Sequence, residues 1–472
     1  FIQDENWYLF HPTQVNYAFK AQQMGTRDFL EEILTETKKY NMNVVLVWTP
    51  DDRWCETTLA MQRKDLYARD ENNNPIIGSY PNIGFHDLAS PVVKKMYRDL
   101  IEEVAANYLS KHKNLKGIYW HELGVSEGRN EHKNHLNEFK LFCKKNYGED
   151  YTGSKMPYKA DPSDKWWRRY CLYKNDVVTS FIKEMRDCSR QHGLKTYFCY
   201  YPPETAGEES WKWGFDPVAL ENLCDHMWVA GFPVESGKPY HLFKGSILDF
   251  GPAYAGQNLA RNYSYAFHGR PLSIWENRVS MYLDVTRKFF AGKRLYSDYY
   301  TQFLGHSQKE ISLFLGKENI GKWVDLMSFW RGGTSVSTVA VAVNPVPFIL
   351  QNRAVGNAYN DKVRNLMISL SSAVDVDGLV LGSESMDAML KELELIIIPE
   401  QMGVGLDKKT VNKLLGFMSK GGKILLINSP LVESKPDLTQ KVDLTERLFG
   451  IKIEDSVTGK FDKIEARLPE DC

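Results

Sequence analysis

Several features that would each point to a function class are missing from this sequence. No apolar run approaches the ~20 residues that cross a bilayer, so no membrane span is expected. Net charge is almost absent: 59 Lys and Arg stand against 60 Asp and Glu, a formal charge of −1. That balance gives no electrostatic case for a nucleic acid or for an anionic membrane surface. Cysteines number only seven in 472 residues, an odd count with no C-x-x-C pair. Several sit in apolar or helical runs, so buried free thiols are expected rather than a disulfide frame or a thiolate metal site. The 11 histidines show no H-x-x-x-H or H-E-x-x-H spacing, and no metal or other cofactor is expected. There is no internal repeat and no low-complexity tract. The sequence opens at Phe1 without a basic–apolar leader. A soluble protein is expected, with the compartment left open between a bacterial cytoplasm and periplasm.

The composition is that of a globular protein, 43% hydrophobic and 25% charged, and its length is too great for one compact core. Residues 1–335 alternate helical and strand patterns. Thr26–Tyr40 has helical spacing and is followed by an apolar strand at Asn43–Thr49. Pro91–His112 is amphipathic, with Val92, Val93, Met96, Leu100, Ile101, Val104 and Leu109 on one side. Strands follow at Lys116–His121, Lys195–Tyr201, Asp225–Gly231, Leu272–Glu276 and Val324–Trp330. Helices are expected at His135–Asn146 and Trp166–Gln191. Strand and helix repeated in this way imply a parallel sheet, and the count fits an eight-stranded (β/α)8 TIM barrel better than an open sheet. The first strand is poorly marked.

The texture changes at Arg331–Thr338, and residues 336–472 read as a second, flavodoxin-like (Rossmann-like) α/β domain. Its strands are expected at Thr338–Val343, Val374–Val380, Leu395–Pro399 and Lys423–Asn428. Its helices are expected at Asp361–Ser372, Ser385–Leu393 and Asp407–Ser419, the last closed by Gly421–Gly422. No Gly-rich phosphate loop follows its first strand, and no Ser or Cys stands in a nucleophile elbow. A structural or oligomerising role is therefore expected for it.

Two short apolar runs in the first region each stop at a glutamate. LKGIYWHELG carries Glu122 and GRPLSIWENR carries Glu276. A barrel presents its reactive groups at the C-terminal ends of its strands, and two convergent carboxylates are the core equipment of glycoside hydrolysis. Taken singly, either glutamate is equally well a loop cap. His121 is placed to hydrogen-bond a sugar hydroxyl or to orient Glu122, and a structural histidine fits as well. Asp51 and Asp52 follow VVLVWTP, and Glu204 follows YFCYYPP. These acids suit a substrate hydroxyl or a loop cap. The strand-end aromatics Trp48, Trp120 and Trp275 are placed where sugar rings stack. Lys133, His132 and His135 fit a solvated helix face.

At this point the chain resembles the β-galactosidases of glycoside hydrolase family forty-two. The resemblance runs through NVVLVWTPDDRWCETTLAMQRKDLYARDENNNPI, SPVVKKMYRDLIEEVAANYLSKHKNLKGIYWHELG, FKLFCKKNYG, PLSIWENR and WVDLMSFWRGG. It continues in TVAVAVNP and LELIIIPEQMGVGLDKKTVNKLLGFMSKGGKILL, which are similar to that family's trimerisation domain. The order is collinear over nearly the whole chain. The resemblance implies a retaining exo-glycosidase with Glu122 as acid/base and Glu276 as nucleophile. It also implies that Trp330 and Arg331 line the sugar site and that the chain assembles as a trimer or dimer. His121 stands where the family has an asparagine, and the family's third, all-β domain has no counterpart before Cys472. NWYLFHPTQ also resembles fucosidase-like hydrolases, and under that likeness Glu122 would be the nucleophile. A non-catalytic carbohydrate-binding barrel is the remaining alternative.

Overall fold

A computed structural model describes residues 2–3, 8–52, 64–120, 133–200, 214–230, 272–275 and 337–445, apart from short gaps within these ranges. Two parallel sheets organise them. The first has six strands: β1 (Ile2–Gln3), β2 (Val44–Trp48), β3 (Leu115–Trp120), β4 (Lys195–Tyr200), β5 (His226–Ala230) and β6 (Leu272–Trp275). Each strand lies beside its neighbour in the chain, and every pairing is parallel. The poorly marked first strand is the two-residue β1, with Ile2 opposite Leu46. Two residues carry no readable periodicity. The expected strand Val324–Trp330, and with it any closure of a barrel, lies outside the described residues.

Local chemistry fixes the helices that cover this sheet. In α1 (Phe29–Lys39) the Asp28 side chain caps the N-terminus by accepting from Glu31 N at 3.0 Å, and Leu30 and Leu34 are buried. Helix α2 starts at Pro91, whose fixed φ suits the first turn, with Ser90 as its cap. It buries Val93, Met96, Tyr97, Leu100, Ile101 and Val104, each contributing about 1.5–3 kcal/mol relative to exposure. Val92, expected on the same side, is exposed instead. The α-helix ends at Val104, and Ala105–Leu109 continues as a π turn. Helices α3 (Lys133–Tyr147) and α4 (Lys165–Gln191) follow the expected limits within one or two residues. Between β3 and β4 the backbones approach so closely that a Cβ on Gly117 would overlap the Lys195 carbonyl oxygen. That contact is why the apolar run is broken by glycine.

The second sheet has four parallel strands: β7 (Val339–Val343), β8 (Val376–Val380), β9 (Leu395–Ile398) and β10 (Lys423–Leu426). Their order is β8-β7-β9-β10, so the sheet grows outward in both directions from β7, as in flavodoxin-like folds. Helix α5 (Lys408–Met418) is capped by Asp407, whose carboxylate accepts from Thr410 N at 3.0 Å. The chain turns out of this helix at Gly421 with φ +93°. The helix expected at Ser385–Leu393 shortens to Met386–Met389. The stretch Asp361–Ser372 lies partly outside the described residues. No described helix is long and apolar enough to cross a membrane.

Helix α4 joins the two parts. Trp167 and Cys171 are fully buried against Ile349, Leu350, Val404 and Leu438. Beside them Arg169 Nε donates to Asp437 Oδ2 at 2.8 Å, and Arg169 Nη2 donates to Glu149 Oε1 at 2.7 Å. Asp437 is fully buried and Arg169 nearly so. Cys143, Cys171 and Cys188 are buried free thiols, as their apolar surroundings imply.

Candidate active site

The C-terminal edge of the first sheet positions the site. Trp48 pairs with Trp120, and Trp120 with Phe198, so β2, β3 and β4 end side by side. Ala230 pairs with Trp275 at the ends of β5 and β6. In the sequence Glu122 follows β3 by two residues and Glu276 follows β6 by one, and β3 and β6 end at the same edge of one parallel sheet. Three strand steps separate β3 from β6. At about 4.8 Å per step a flat sheet would hold their ends about 14 Å apart, too far for a catalytic pair, so convergence depends on the curl of the sheet.

Glu122, His121, Glu276, Glu204, Trp330 and Arg331 lie outside the described residues. Trp275 ends β6 and Asp51 begins a short antiparallel pairing, Asp51–Asp52 against Gly84–Phe85, just beyond β2. Trp48 and Trp120 were expected to stack on a sugar, and the structure gives them a different place. They are 1% and 0% exposed. Trp120 packs edge-on against Trp48 at 5.6 Å, Tyr97 at 5.0 Å and Phe181 at 5.4 Å. Four such rings form a rigid aromatic layer at the strand ends, and neither tryptophan offers a face to solvent.

Around that layer sits a polar network that the sequence reading missed. His86 is stacked on Tyr67, and its Nδ1 lies 3.2 Å from Tyr97 Oη. Next to it, Asp87 Oδ1 is 2.8 Å from His135 Nε2. The other ring nitrogen, His135 Nδ1, is 3.0 Å from Tyr173 Oη, which itself donates to Glu138 Oε2 at 3.0 Å. The tyrosine hydrogen is thus committed to Glu138, so Tyr173 accepts from Nδ1 while Asp87 accepts from Nε2. Both ring nitrogens thus face acceptors, an arrangement that favours the charged ring. Burial works against that charge, but the Asp87 carboxylate outweighs it, and the His135 pKa is raised. Expected on a solvated face, His135 is 4% exposed. Its partner Asp87 lies 48 residues away, and no local pattern links the two. The network ties the start of α3 to the turn that precedes α2. It thereby fixes the position of α3 immediately after the segment 121–132 that carries Glu122.

Among the described residues no group of three or more His, Cys, Asp or Glu is arranged to hold a metal.

No protein-family profile matches the chain, and no relative is found among curated proteins. Solved structures are similar. The β-galactosidase of the psychrophilic Marinomonas ef1 aligns with 88% of this chain at 14% identity and a TM-score of 0.55. A catalytic mutant of a GH42 β-galactosidase from G. stearothermophilus aligns with 84% at 13% identity and a TM-score of 0.62. The β-galactosidase of Bacillus circulans sp. alkalophilus aligns with 90% at 14% identity and a TM-score of 0.58. The chain spans 70%, 63% and 66% of the lengths of these three proteins. At such identity the likeness is one of fold: the chain has a divergent glycoside-hydrolase-like α/β architecture.

Proposed function

We propose that this chain is a retaining exo-glycoside hydrolase acting on a β-linked, galactoside-like substrate. One observation carries the reading: Glu122 and Glu276 both follow strands that end at the same edge of one parallel, chain-ordered sheet. The likeness of fold to β-galactosidases supports it. In this reading β1–β6 belong to an eight-stranded barrel completed by residues 276–336, and curling brings the carboxyls to the ~5–5.5 Å of a retaining pair. Glu276 attacks the anomeric carbon and forms a glycosyl ester, while Glu122 gives its proton to the departing oxygen. Glu122 then takes a proton from water, which attacks the same carbon and releases Glu276 and the sugar with its anomeric configuration retained. His121 hydrogen-bonds a sugar hydroxyl, and Trp275, Trp330, Arg331, Asp51 and Glu204 line the sugar site. No cofactor is required. Residues 336–472 form a non-catalytic domain that contributes to a trimer or dimer.

The test is turnover of a panel of nitrophenyl glycosides, with azide rescue of the two alanine variants. Glu276→Ala should lose hydrolysis and, with azide, form a glycosyl azide of the opposite anomer. If Glu122→Ala gives that inverted product instead, the nucleophile is Glu122, as in the fucosidase-like alternative. Sugar binding without turnover of any glycoside would identify a binding barrel. Sedimentation equilibrium tests the assembly, and a fully active monomer at micromolar concentration overturns it.

A further inference from the structure

The formal charge of −1 is a sum over the whole chain, and the fold distributes it unevenly. Three turns lie side by side at the N-terminal edge of the first sheet. They lead from α1 to β2, from α2 to β3 and from α4 to β4, and these strands are neighbours, with Val44 opposite Leu115 and Gly117 opposite Lys195. The stretches 38–43, 110–116 and 190–195 hold six Lys and one Arg, all exposed, and no Asp or Glu. Carboxylates from just outside the turns engage two of the seven: Glu36 pairs with Lys39 at 2.6 Å and Asp225 with Arg190 at 3.4 Å. Lys38, Lys111, Lys113, Lys116 and Lys195 form no ion pair among the described residues. The next carboxylates back along the helices are committed or distant. Glu31 meets the buried His112 at 2.8 Å, Asp187 pairs with Arg186 at 2.7 Å, and Glu102 lies nine residues before Lys111.

A cation in the last turn of a helix complements the helix dipole, which accounts for Lys38, Lys39 and Arg190. It does not account for Lys113, Lys116 or Lys195, which lie beyond the helix ends. Like charges gathered side by side repel one another, so the fold itself gains nothing from the cluster. The turns that carry it are firmly held. Asn114 Nδ2 donates to Leu34 O and to Thr37 Oγ1 at 3.0 Å each. Val44 N donates to Asn114 O at 2.8 Å, and Leu194 N donates to Ser189 O at 3.0 Å. The lysines therefore stand on a fixed surface.

The turn out of α1 adds two apolar tips to this surface. Tyr40 and Met42 are 69% and 54% exposed and flank Asn41, whose φ is +52°. Among the described residues they are the one pair of exposed large apolar side chains on a single turn. Apolar tips beside a field of unpaired lysines match a membrane surface: the tips enter the headgroup layer while the ammonium groups meet anionic lipid. A nucleic acid fits less well. Its phosphates are held best by the forked guanidinium of arginine, and the one arginine here is already engaged by Asp225. A phosphate backbone also makes no use of Met42.

We propose that the N-terminal edge of the first sheet docks on an anionic phospholipid surface, with Tyr40 and Met42 in the headgroup layer and the five unpaired lysines against the lipid charge. The strand ends that lead to Glu122 and Glu276 lie at the opposite edge, so docking here leaves that edge toward solution. The inference stands on this surface alone and does not need the catalytic assignment. Vesicle sedimentation of the full-length protein tests it, with phosphatidylcholine vesicles against vesicles of equal parts phosphatidylcholine and phosphatidylglycerol. A DNA duplex serves as the competing polyanion. The protein should pellet with the anionic vesicles and not with the neutral ones, and affinity should fall about tenfold or more as salt rises from about 50 to about 500 mM. The triple variant Lys113→Gln, Lys116→Gln, Lys195→Gln should bind roughly 10²-fold more weakly, and Tyr40→Ser with Met42→Ser about tenfold more weakly. Lys408→Gln with Lys420→Gln, exposed positions on the second sheet's part, should bind as the parent does. All these positions are exposed, so each variant should melt with its parent. Four outcomes overturn the proposal: no binding to anionic vesicles, equal binding to neutral ones, binding of the duplex in preference to vesicles, or equal affinities in the triple and the control variants. Turnover tests the catalytic pair and vesicle binding tests this edge, so each fails separately.

Discussion

In the first sheet every strand lies beside its chain neighbour, from Ile2–Gln3 to Leu272–Trp275. In the second, Val339–Val343 sits between Val376–Val380 and Leu395–Ile398. The first winding sends the connection after each strand to the same edge, so the chain meets that edge again after every helix. Strand ends from distant parts of the sequence collect there without any local motif. The second winding creates one reversal point, between β7 and β9, where doubly wound folds usually take a ligand. Here the two connections are tied to each other instead. Asn344 Nδ2 donates to Gln401 Oε1 at 2.8 Å, and Asn344 N donates to Tyr359 Oη at 2.8 Å, with Asn344 and Gln401 both buried. A reversal point stitched by its own side chains suits a structural role. The proposed function adds a division of work: chemistry at the edge of the first sheet, cohesion in the second.

The most direct way to break that division is to compare turnover. Glu276→Gln should lower kcat on the best nitrophenyl glycoside by about 10³-fold or more, judged from the usual worth of a single reacting group. Gln401→Leu, at the reversal point of the second sheet, should leave kcat unchanged in folded protein. Comparable losses in both variants would put catalytic work in the second sheet and end the comparison.

A second test addresses how the two parts are joined. Removing one partner from a buried ion pair strands the other charge, so Asp437→Ala should cost about 3–5 kcal/mol in urea unfolding. Arg169 and Asp437 are 2% and 0% exposed at the side chain, which is why the larger range applies. A loss below about 1 kcal/mol, the worth of an exposed pair, would show that apolar contacts such as Trp167 against Leu438 do the joining. The outer member, Glu149, is exposed, and its hydrogen bonds from Arg169 and Lys165 hold its pKa down at about 2. A depressed folded pKa gives stability that is present above the carboxylate's ordinary value and lost as pH falls toward 2.

Much of this architecture is legible in the sequence, for reasons that differ by element. Lys195–Tyr200 and Leu395–Ile398 are short apolar runs bounded by Gly, Pro or polar residues, and their expected limits match within a residue. Asp407 and Gly421 mark the ends of α5 because capping chemistry is local. What stays hidden is whatever depends on residues far apart in the chain. The Arg169–Asp437 pair spans 268 residues and the His135–Asp87 pair 48. Trp48 and Trp120 end their strands as a sugar platform would, and only the packing of Tyr97 and Phe181 against Trp120 shows that they are core. For the proposed catalytic pair, local context marks each glutamate, but nothing local bears on whether the two converge.

Two glycines sharpen the contrast between the sheets at smaller scale. At Gly117 a Cβ would meet the Lys195 carbonyl and lie 2.6 Å from the Tyr197 ring, so Gly117→Ala must spread β3 from β4. A cost of about 1–3 kcal/mol is expected from overpacking of this kind. Gly416, inside α5, has no atom within 4 Å of its would-be Cβ. Gly416→Ala should therefore stabilise by about 0.4–1 kcal/mol, through helix propensity and a less flexible unfolded chain. Chemical denaturation of both variants measures the pair, and equal effects would mean that the close approach of β3 and β4 carries no constraint.

The smallest effect expected is one of pH, and it probes the network beside the candidate site. His135 sits between Asp87 and Tyr173, and although burial disfavours its charged form, the Asp87 carboxylate and the field of Glu138 favour it. Its folded pKa lies above the ordinary histidine value near 6.5. A raised pKa gives stabilisation that is complete below the unfolded value and lost as pH rises through the folded one. His135→Gln keeps a hydrogen-bonding side chain but removes the charge. The melting-temperature gap between the parent and His135→Gln should therefore be widest near pH 6 and narrow steadily as pH is raised toward 9. A gap that stays constant over that range would mean that His135 does not titrate there. The network would then be a set of neutral hydrogen bonds rather than a charge pair. If the pair also steadies the segment that begins at His121, the same variant should lower kcat more than it raises KM, and most of all at the acid end of the profile. An unchanged kcat at every pH would confine His135 to the fold.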